Sequence, residues 1–424
     1  MNALRWAVAV VTPVVFTVVT ATVAGPDTTV PVHVLTGMHE LCYGTKCYHR
    51  PQEVPLNELA PWLDWALADA AVTEDARREK IHTYAYLDPS IQYDPNHDYA
   101  PLYSDDESTF LRSCDGSRAA VKRGDLGGFL MDQGAAAYRA RVRAYVDEHV
   151  RGRYDALFVD DVYAAVHTYA TVVRPACARS YERERDATFA LWSHLSIPVI
   201  FNGLGDAPDD GSTETHAQAA LEGPGAIGGM YEFCTSTSDN GMDNTLANKR
   251  VDGAWRSAEN SHLQTVARDK LFLCYAGSDT PGDSDVGRAE RAYVYSSFLL
   301  VYRPKYSVLE MAASSARKRV SVFPEATVLA LGPLRPQPAD VDDLRAPSGA
   351  YVREYARCFV RAVPVGPCAA VVNASRSRTV DAAVHGYKHA LEMHGGALLE
   401  GGTVTTAAAP PARLPAASGT VLFR

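Results

Sequence analysis

Acidic side chains end several short apolar runs of this chain, and their types and positions are those that acid–base chemistry uses. The polar residues at the ends of these runs are Asp88, Asp132, Asp160 with Asp161, Asn202, Glu232 and Glu310. If the runs are parallel strands of one closed sheet, these side chains converge at one end of it. Carboxylates that converge repel one another and lower stability, so such an arrangement usually serves a ligand.

Two of these carboxylates are the candidates for catalysis. Asp160 follows three apolar residues and is the first polar side chain to emerge from a buried strand, so we assign it as nucleophile or base. Glu232 lies beside Tyr231 and Phe233, and apolar surroundings would raise the pKa of a carboxyl group, as a general acid requires. A carboxyl pair with these roles is what the cleavage of a glycosidic bond needs.

The other polar residues at the run ends are candidates for binding a substrate. They are Asp88, Asp132, Asp161, Asn202, Tyr86, Tyr231 and Glu310, with Tyr84 and Tyr275 as further aromatic residues that could stack on a sugar ring. Structural roles remain open for them. Asp132 and Asp161 could cap the helix that follows, and Asp88 precedes a proline in a turn signature. Asn202 could be a turn residue, and Glu310 could pair with an arginine of the barrel.

Strand-like runs alternate with longer helical patterns over about the first 320 residues. The eight strand-like runs cover residues 33–37, 81–87, 128–132, 156–161, 198–203, 226–233, 270–276 and 305–311. One of the amphipathic stretches between them, residues 56–71, is predicted to be a helix with Trp62 and Trp65 in the core. This alternation predicts a parallel sheet, and eight units predict closure into a (β/α)8 TIM barrel.

The composition and patterning of the sequence change after Pro324. Residues 331–338 contain three prolines and a glycine, which is typical of a linker, and short β-like runs follow up to the C-terminus. We therefore predict a TIM-barrel domain at residues 25–324 and a small antiparallel β-sandwich domain at residues 325–424.

The N-terminus has the features of a secretory signal peptide. Arg5 precedes an apolar stretch that ends in small residues near position 24, where cleavage is predicted. Pro13 weakens this stretch as a spanning helix, although an uncleaved anchor remains the alternative. Eight cysteines follow, and an even number in an exported chain favours disulfides, with Cys42–Cys47 and Cys358–Cys368 close enough in sequence to be paired. We expect a secreted or extracellular surface protein. Asn373 begins a glycosylation sequon.

Composition and motifs exclude several other functions. The net charge is −9 over 424 residues and no basic run occurs, so nucleic acid is not an expected partner. The GxSxG, HExxH and P-loop motifs are absent from the sequence. Cys42, Cys47 and His49 cluster as zinc ligands can, but no second pair completes the set. We predict no metal, no cofactor and no membrane contact beyond the N-terminal segment, and the oligomeric state stays open.

Segments along most of residues 80–424 follow one another in an order typical of one family. They are residues 130–139, 154–162, 201–203, 228–232, 295–300, 349–355, 371–373 and 414–422. Residues 130–162 resemble the pattern mD…ayra…fDGiflDdv of the hypothetical glycosyl hydrolase family 15 group, whose members have amylase-like barrels. The resemblance implies a TIM barrel with a β-sandwich domain, action on a carbohydrate, and Asp160 and Glu232 as the carboxylates of its fourth and sixth strands.

The chain departs from the family pattern at a few positions. Ala156 stands where the family has glycine, Ala374 stands where proline is usual, and a β-domain turn is replaced by an insertion that bears Cys358 and Cys368. These changes affect the β-domain more than the site.

Three classes of function could use side chains of these types. The leading prediction is hydrolysis of glycosidic bonds in an oligo- or polysaccharide by a carboxylate pair. The alternative is a catalytically inactive carbohydrate-binding surface protein on the same barrel. A metal-dependent hydrolase would need converging histidine and aspartate ligands, and the run ends supply almost no histidine.

Overall fold

The computed structural model describes the backbone of residues 35–41 and then residues 56–93, 102, 105–113, 115–123, 126–160, 187, 190–192, 194–204, 221–235, 249–278, 283–313 and 322–424. Several predictions concern other residues: the N-terminal segment 1–24, Asp161, the Cys42–Cys47 pair and the cluster with His49. These lie outside the described residues and stay predictions.

The first part of the chain contains the strands and helices of an α/β fold. The described strands are β1 (Leu35–Leu41), β2 (Leu63–Ala68), β3 (His82–Leu87), β4 (Ile91–Tyr93), β5 (Ala120–Arg123), β6 (Leu126–Leu130), β7 (Ala156–Val159), β8 (Val199–Asn202), β9 (Ala226–Glu232), β10 (Leu271–Ser278) and β11 (Ser307–Ala313). The described helices are α1 (Leu56–Leu59), α2 (Thr73–Arg78), α3 (Ala136–Tyr145), α4 (Asp252–Ala267) and α5 (Asp285–Val301). Helix α3 continues as a π-helical turn over Val146–Val150, and a 3₁₀ turn covers Glu107–Thr109.

Eight of these strands form a closed parallel barrel, as the sequence predicts. The strand order is β1-β11-β10-β9-β8-β7-β3-β2, and every described pairing within it is parallel. Seven of the eight predicted runs overlap barrel strands. The (β/α)8 prediction is therefore confirmed, with two corrections in the assignment of individual strands.

The first correction concerns β2, where the sequence predicts a helix over residues 56–71. Only Leu56–Leu59 is helical, and the following residues form a strand between β1 and β3. Trp65 and Leu67 pack against the barrel interior, whereas Ala66 and Ala68 belong to the cluster outside it. Leucine and alanine favour helices locally, but pairing with two neighbouring strands overrides that preference.

The second correction concerns residues 128–132, which were predicted to form a barrel strand. Strand β6 instead lies in a separate antiparallel sheet with the order β4-β6-β5. Gly128 permits the close approach of β4, because a Cβ atom there would lie 2.8 Å from the carbonyl oxygen of Gln92. An apolar run carries no information about its partner strands, so the sequence could not separate the two sheets.

The barrel interior contains buried side chains of six strands. The buried interior residues are Tyr84, Ala156, Phe158, Ile200, Met230, Leu271, Leu273 and Val308. Side chains alternate between the two faces of a strand, so a residue two positions after one of these also points inward. This rule identifies the side chains that reach the carboxyl-terminal mouth of the barrel.

The last hundred residues form antiparallel β-structure, as predicted. The strands are β12 (Val328–Pro333), β13 (Tyr351–Val360), β14 (Val363–Asn373), β15 (Val380–Asp381), β16 (His389–His394), β17 (Thr403–Ala408), β18 (Arg413–Leu414) and β19 (Ser418–Phe423). One sheet has the order β12-β13-β14-β19-β16-β17, and β15 pairs with β18. Short 3₁₀ turns cover Pro324–Thr327, Val341–Leu344 and Leu398–Glu400. The boundary at residue 324 stays a prediction.

One face of the six-stranded sheet packs on helix α5 of the barrel. The Tyr355 hydroxyl donates a hydrogen bond to the carbonyl oxygen of Leu299. Gly419 lies so close to the helix that a Cβ atom would be 2.7 Å from the Cβ of Ser296. The opposite face carries a separate buried cluster that includes Val371, Val380 and Leu414.

The Asn373 sequon is part of this packing. The side chain is 1% exposed. Its Nδ2 donates to the carbonyl oxygens of Arg378, Leu414 and Pro415 at 2.6, 3.0 and 2.7 Å. An amide engaged in this way ties the end of β14 to the β18 segment, and the folded protein has no room there for a glycan.

Two disulfides lie among the described residues. Cys358–Cys368 joins β13 and β14, which confirms the predicted pair, and Cys234–Cys274 joins the end of β9 to β10. Among the described helices, none combines the length and apolar character needed to cross a membrane.

Candidate functional site

Six inward-facing side chains meet the mouth of the barrel. They are Tyr86, Asp160, Asn202, Glu232, Tyr275 and Glu310. Each follows, by two positions, an interior residue or a side chain packed on the interior cluster. Because the barrel strands are parallel, their carboxyl ends lie at the same rim. Six strands thus supply one polar side chain each to a single region.

Asn202 connects the two predicted catalytic carboxylates. Its Nδ2 donates to Asp160 Oδ1 at 2.6 Å and to Glu232 Oε2 at 2.9 Å. Two oxygens that accept hydrogen bonds from the same nitrogen can be no farther apart than the sum of the two hydrogen-bond distances. Asp160 and Glu232 therefore lie side by side, although 72 positions separate them in the sequence.

Asp160 accepts a second hydrogen bond on its other oxygen. The Tyr86 hydroxyl donates to Asp160 Oδ2 at 2.5 Å, and the Tyr86 ring stacks on Phe158 with ring centroids 6.0 Å apart. The Asp160 backbone N–H also donates to the carbonyl oxygen of Leu87 at 2.9 Å, so the carboxylate sits on backbone that is still paired with β3. Hydrogen bonds to both oxygens therefore fix the orientation of the Asp160 carboxylate.

Glu232 is placed by the crosslinked end of β9. Phe233 adopts a left-handed backbone conformation with φ +56°, and its ring lies edge-on to Tyr275 at 5.5 Å. The next residue, Cys234, forms the disulfide to Cys274 and donates its backbone N–H to the carbonyl oxygen of Tyr275 at 3.1 Å. A disulfide, a ring contact and a backbone hydrogen bond therefore fix the chain directly after Glu232.

Glu310 lies at the same level of the barrel. Tyr275 pairs in register with Glu232 on one side and with Glu310 on the other. Glu310 is 3% exposed, so this third carboxylate is buried. The register brings Glu310 toward the Asp160–Glu232 pair, with Tyr275 between the two glutamates.

The structure does not bring every predicted binding residue into this group. Asp88 Oδ1 accepts the Ser90 N–H at 3.0 Å, and Asp132 Oδ1 accepts the Gly134 N–H at 2.9 Å. Both aspartates order the loop that follows them, which is the structural role left open in the sequence. Asp132 also follows β6 and so does not end a barrel strand.

Tyr231 faces away from the mouth. Its ring packs against Phe272 with centroids 6.3 Å apart, and the Arg250 guanidinium lies 5.0 Å above it, in the cluster outside the barrel. The alternation of β9 explains this placement, because its neighbours Met230 and Glu232 take the inward positions.

Sequence reasoning did not find the Cys234–Cys274 disulfide or the position of Tyr275 between the two glutamates. The two cysteines are 40 residues apart and carry no local signal of pairing. Tyr275 occurs two residues after Leu273 in the sequence, and strand periodicity alone could have placed it inward. Within the described part of the chain, no group of three or more His, Cys, Asp or Glu residues is arranged to hold a metal ion.

Fold and site together define a class: an eight-stranded parallel barrel with carboxylates and an amide at its carboxyl-terminal mouth, followed by antiparallel β-structure. No protein-family model and no curated protein matches the chain. Solved structures that resemble it include glycoside hydrolases.

Three of these structures illustrate how similar they are to this chain in sequence and in fold. The glycoside hydrolase domain of PelA from Pseudomonas aeruginosa is 15% identical, with a TM-score of 0.39 over 66% of this chain and 94% of that one. Ega3 from Aspergillus fumigatus, in complex with galactosamine, is 8% identical, with a TM-score of 0.40 over 70% and 97%. Trehalose-6-phosphate hydrolase from Bacillus licheniformis is 8% identical, with a TM-score of 0.48 over 93% and 99%.

Proposed function

We propose that this protein hydrolyses glycosidic bonds in an oligo- or polysaccharide, with Asp160 and Glu232 as the catalytic carboxylates. The observation that carries the proposal is the single amide nitrogen of Asn202, which is bonded to both carboxylates. Two carboxyl groups on either side of a scissile bond are the equipment that this reaction requires.

The hydrogen bonds of the pair support a division of roles. Asp160 accepts hydrogen bonds on both oxygens, which fix the orientation of its carboxylate and suit a nucleophile. Glu232 is then the general acid that protonates the leaving oxygen and, in the second step, the base that activates water.

The short separation of the pair favours a retaining mechanism. Carboxyl groups are about 5–5.5 Å apart in retaining enzymes and about 6.5–9.5 Å apart in inverting enzymes, which need room for a water molecule. The distances of 2.6 and 2.9 Å from one nitrogen keep the bonded oxygens no farther apart than the upper end of the shorter range, which supports this proposal. Asp160 would form a covalent glycosyl intermediate, which water then releases with the original anomeric configuration.

The test is a digestion screen of the oxidised protein against soluble polysaccharides, including neutral and amino-sugar polymers, with reducing ends as the readout. We expect a substrate for the wild type, and loss of about 10³-fold or more in rate for Asp160→Asn and Glu232→Gln. Thermal stability of Asp160→Asn should be unchanged or raised, because repulsion within the pair is relieved. Asp381→Asn, an exposed aspartate on β15, is the matched control and should keep full activity.

The remaining outcomes are also informative. Full activity in Asp160→Asn would remove this residue from the mechanism. Binding of a polysaccharide without any product would support the catalytically inactive carbohydrate-binding protein instead. For an active substrate, the anomer formed first, followed by proton NMR, decides between retention and inversion.

The site of action proposed for this hydrolase is outside the cytoplasm. Cys234–Cys274 and Cys358–Cys368 are crosslinks that persist in oxidising compartments. The apolar segment at residues 6–24 supplies the export signal in this proposal. A carbohydrate substrate is the proposed partner.

A further inference from the structure

The side-chain amide of Asn202 is the most constrained polar group at the barrel mouth. Asn202 is 3% exposed. Its two hydrogen bonds are to carboxylate oxygens, which accept, so the amide nitrogen and not the oxygen faces Asp160 and Glu232. An amide nitrogen carries two hydrogens, and one is available for each carboxylate.

The opposite end of the same amide is unsatisfied. Among the described residues, Asn202 Oδ1 is buried and has no hydrogen-bond donor. A buried acceptor without a partner is destabilising, and a fold normally avoids one. The orientation of Asn202 is therefore set by the carboxylates in spite of this penalty, which is typical of a residue that serves a site.

We infer that Asn202 is a positioning residue for the carboxylate pair: its nitrogen sets the Asp160–Glu232 separation and directs the proton of Glu232 to Oε1. The inference rests on the proposed function and deepens it. Glu232 Oε2 accepts the hydrogen of Asn202 Nδ2, so a proton on Glu232 is placed on Oε1, the oxygen that is not bonded to Asn202. Asp160 Oδ1 and Oδ2 accept hydrogen bonds from Asn202 Nδ2 and from the Tyr86 hydroxyl.

Asn202 Oδ1 is closed to solvent, so a sugar bound between the carboxylates does not reach it, and the role of Asn202 is the orientation of the pair through Nδ2. Among the described residues, the other titratable groups that face this region are Tyr86 on β3, Tyr275 on β10 and Glu310 on β11.

The inference is tested without any substrate, by carboxyl ¹³C NMR titration of protein labelled at aspartate and glutamate side chains. Asp160→Asn and Glu232→Gln identify the two signals. The pair titrates as a coupled system, so the apparent steps belong to both groups. Loss of the shared donor in Asn202→Ala should move both steps to higher pH, by about one to two pH units, the equivalent of a hydrogen bond to a charged group.

Tyr86→Phe is the matched control, because it removes a hydroxyl donor whose described hydrogen bond reaches Asp160 alone. We expect it to shift the Asp160 signal by more than the Glu232 signal, which moves only through its coupling to Asp160. Should Asn202→Ala fail to fold, Asn202→Ser carries the test, since one hydroxyl hydrogen can serve only one carboxylate and must leave the other shifted.

Unshifted titration in the folded Asn202 variants would overturn the inference, whether or not the protein has a substrate. A shift in both signals would support it even if the digestion screen found no product. The failure of the positioning role and the failure of the proposed reaction are thus distinguished by separate measurements.

Discussion

His262 is a buried histidine that makes stability depend on pH. It lies on α4 with its ring stacked on Phe272, centroids 4.1 Å apart, and with Nε2 2.6 Å from Ser307 Oγ. Burial lowers the pKa of His262 from 6.5 to about 3, so the folded protein keeps this ring neutral over most of the acidic range.

The sign of the pH effect follows from these values. The unfolded chain binds a proton at His262 near pH 6.5 and the folded chain does not, so the stabilisation is complete above pH 6.5 and is lost as pH falls toward about 3. We expect this group to contribute a slope of up to about 1.4 kcal/mol per pH unit in the free energy of unfolding.

Denaturant unfolding of the wild type and His262→Gln across that range measures the slope. The variant should lose stability less steeply on acidification, whatever its stability at neutral pH. His389→Gln, at an exposed position of β16, should retain the wild-type slope. Identical slopes in all three proteins would contradict the role assigned to His262.

Among the elements, the disulfide between β9 and β10 holds the chain next to Glu232, the general acid of the proposed reaction. Cys234 is two residues after Glu232, and its partner Cys274 immediately precedes Tyr275. The crosslink spans 40 residues of sequence, whereas Cys358–Cys368 spans 10 and lies within the C-terminal sheet.

Removing each disulfide separates stability from positioning. Cys234→Ser with Cys274→Ser should lower the free energy of unfolding by about 3–4 kcal/mol in the chain-entropy picture and should also lower kcat. Cys358→Ser with Cys368→Ser is the matched control, with a smaller loss of stability and unchanged kcat. Thermal unfolding and initial rates on the substrate found in the screen measure both effects; an equal kcat for the two double variants would argue against the positioning role.

At the scale of the whole molecule, a buried ion pair joins the barrel to the β-structure. Arg291 Nε on α5 lies 3.2 Å from Glu325 Oε1, with side chains 5% and 0% exposed. The N–H does not point along a hydrogen-bonding direction, so we treat the contact as electrostatic. Arg291 also donates to the carbonyl oxygens of Gly395 and Gly396, and burial raises the pKa of Glu325 while Arg291 opposes that rise.

Breaking this pair from one side should be more harmful than removing it whole. Arg291→Met leaves the Glu325 carboxyl buried without its cation, and we expect a loss of about 3–5 kcal/mol in the free energy of unfolding. Arg291→Met with Glu325→Leu should recover a large part of that loss, because no uncompensated buried charge remains. Denaturant unfolding of the two single variants and the double variant completes a double-mutant cycle. Additive losses in the free energy of unfolding would show that the two residues are not coupled.

Local patterns in the sequence were sufficient to predict the class of fold and the polar residues that end the apolar runs. Alternating strand and helix patterns are local features of the sequence, and so are the positions of Asp160 and Glu232 at the ends of apolar runs. Neither feature depends on knowing which strands pair with one another. The Cys358–Cys368 pair was predictable for the same reason, because its members are only 10 residues apart.

Contacts between distant parts of the chain were decided only by the tertiary structure. The β2 segment is a strand because β1 and β3 flank it, β6 left the barrel because β4 and β5 pair with it, and Tyr231 faces outward because its inward neighbours fill the barrel. Asn202 bonds to residues 42 and 30 positions away. A sequence pattern indicates which side chains lie at the end of a strand, but the closure of the barrel sets the distances between these side chains.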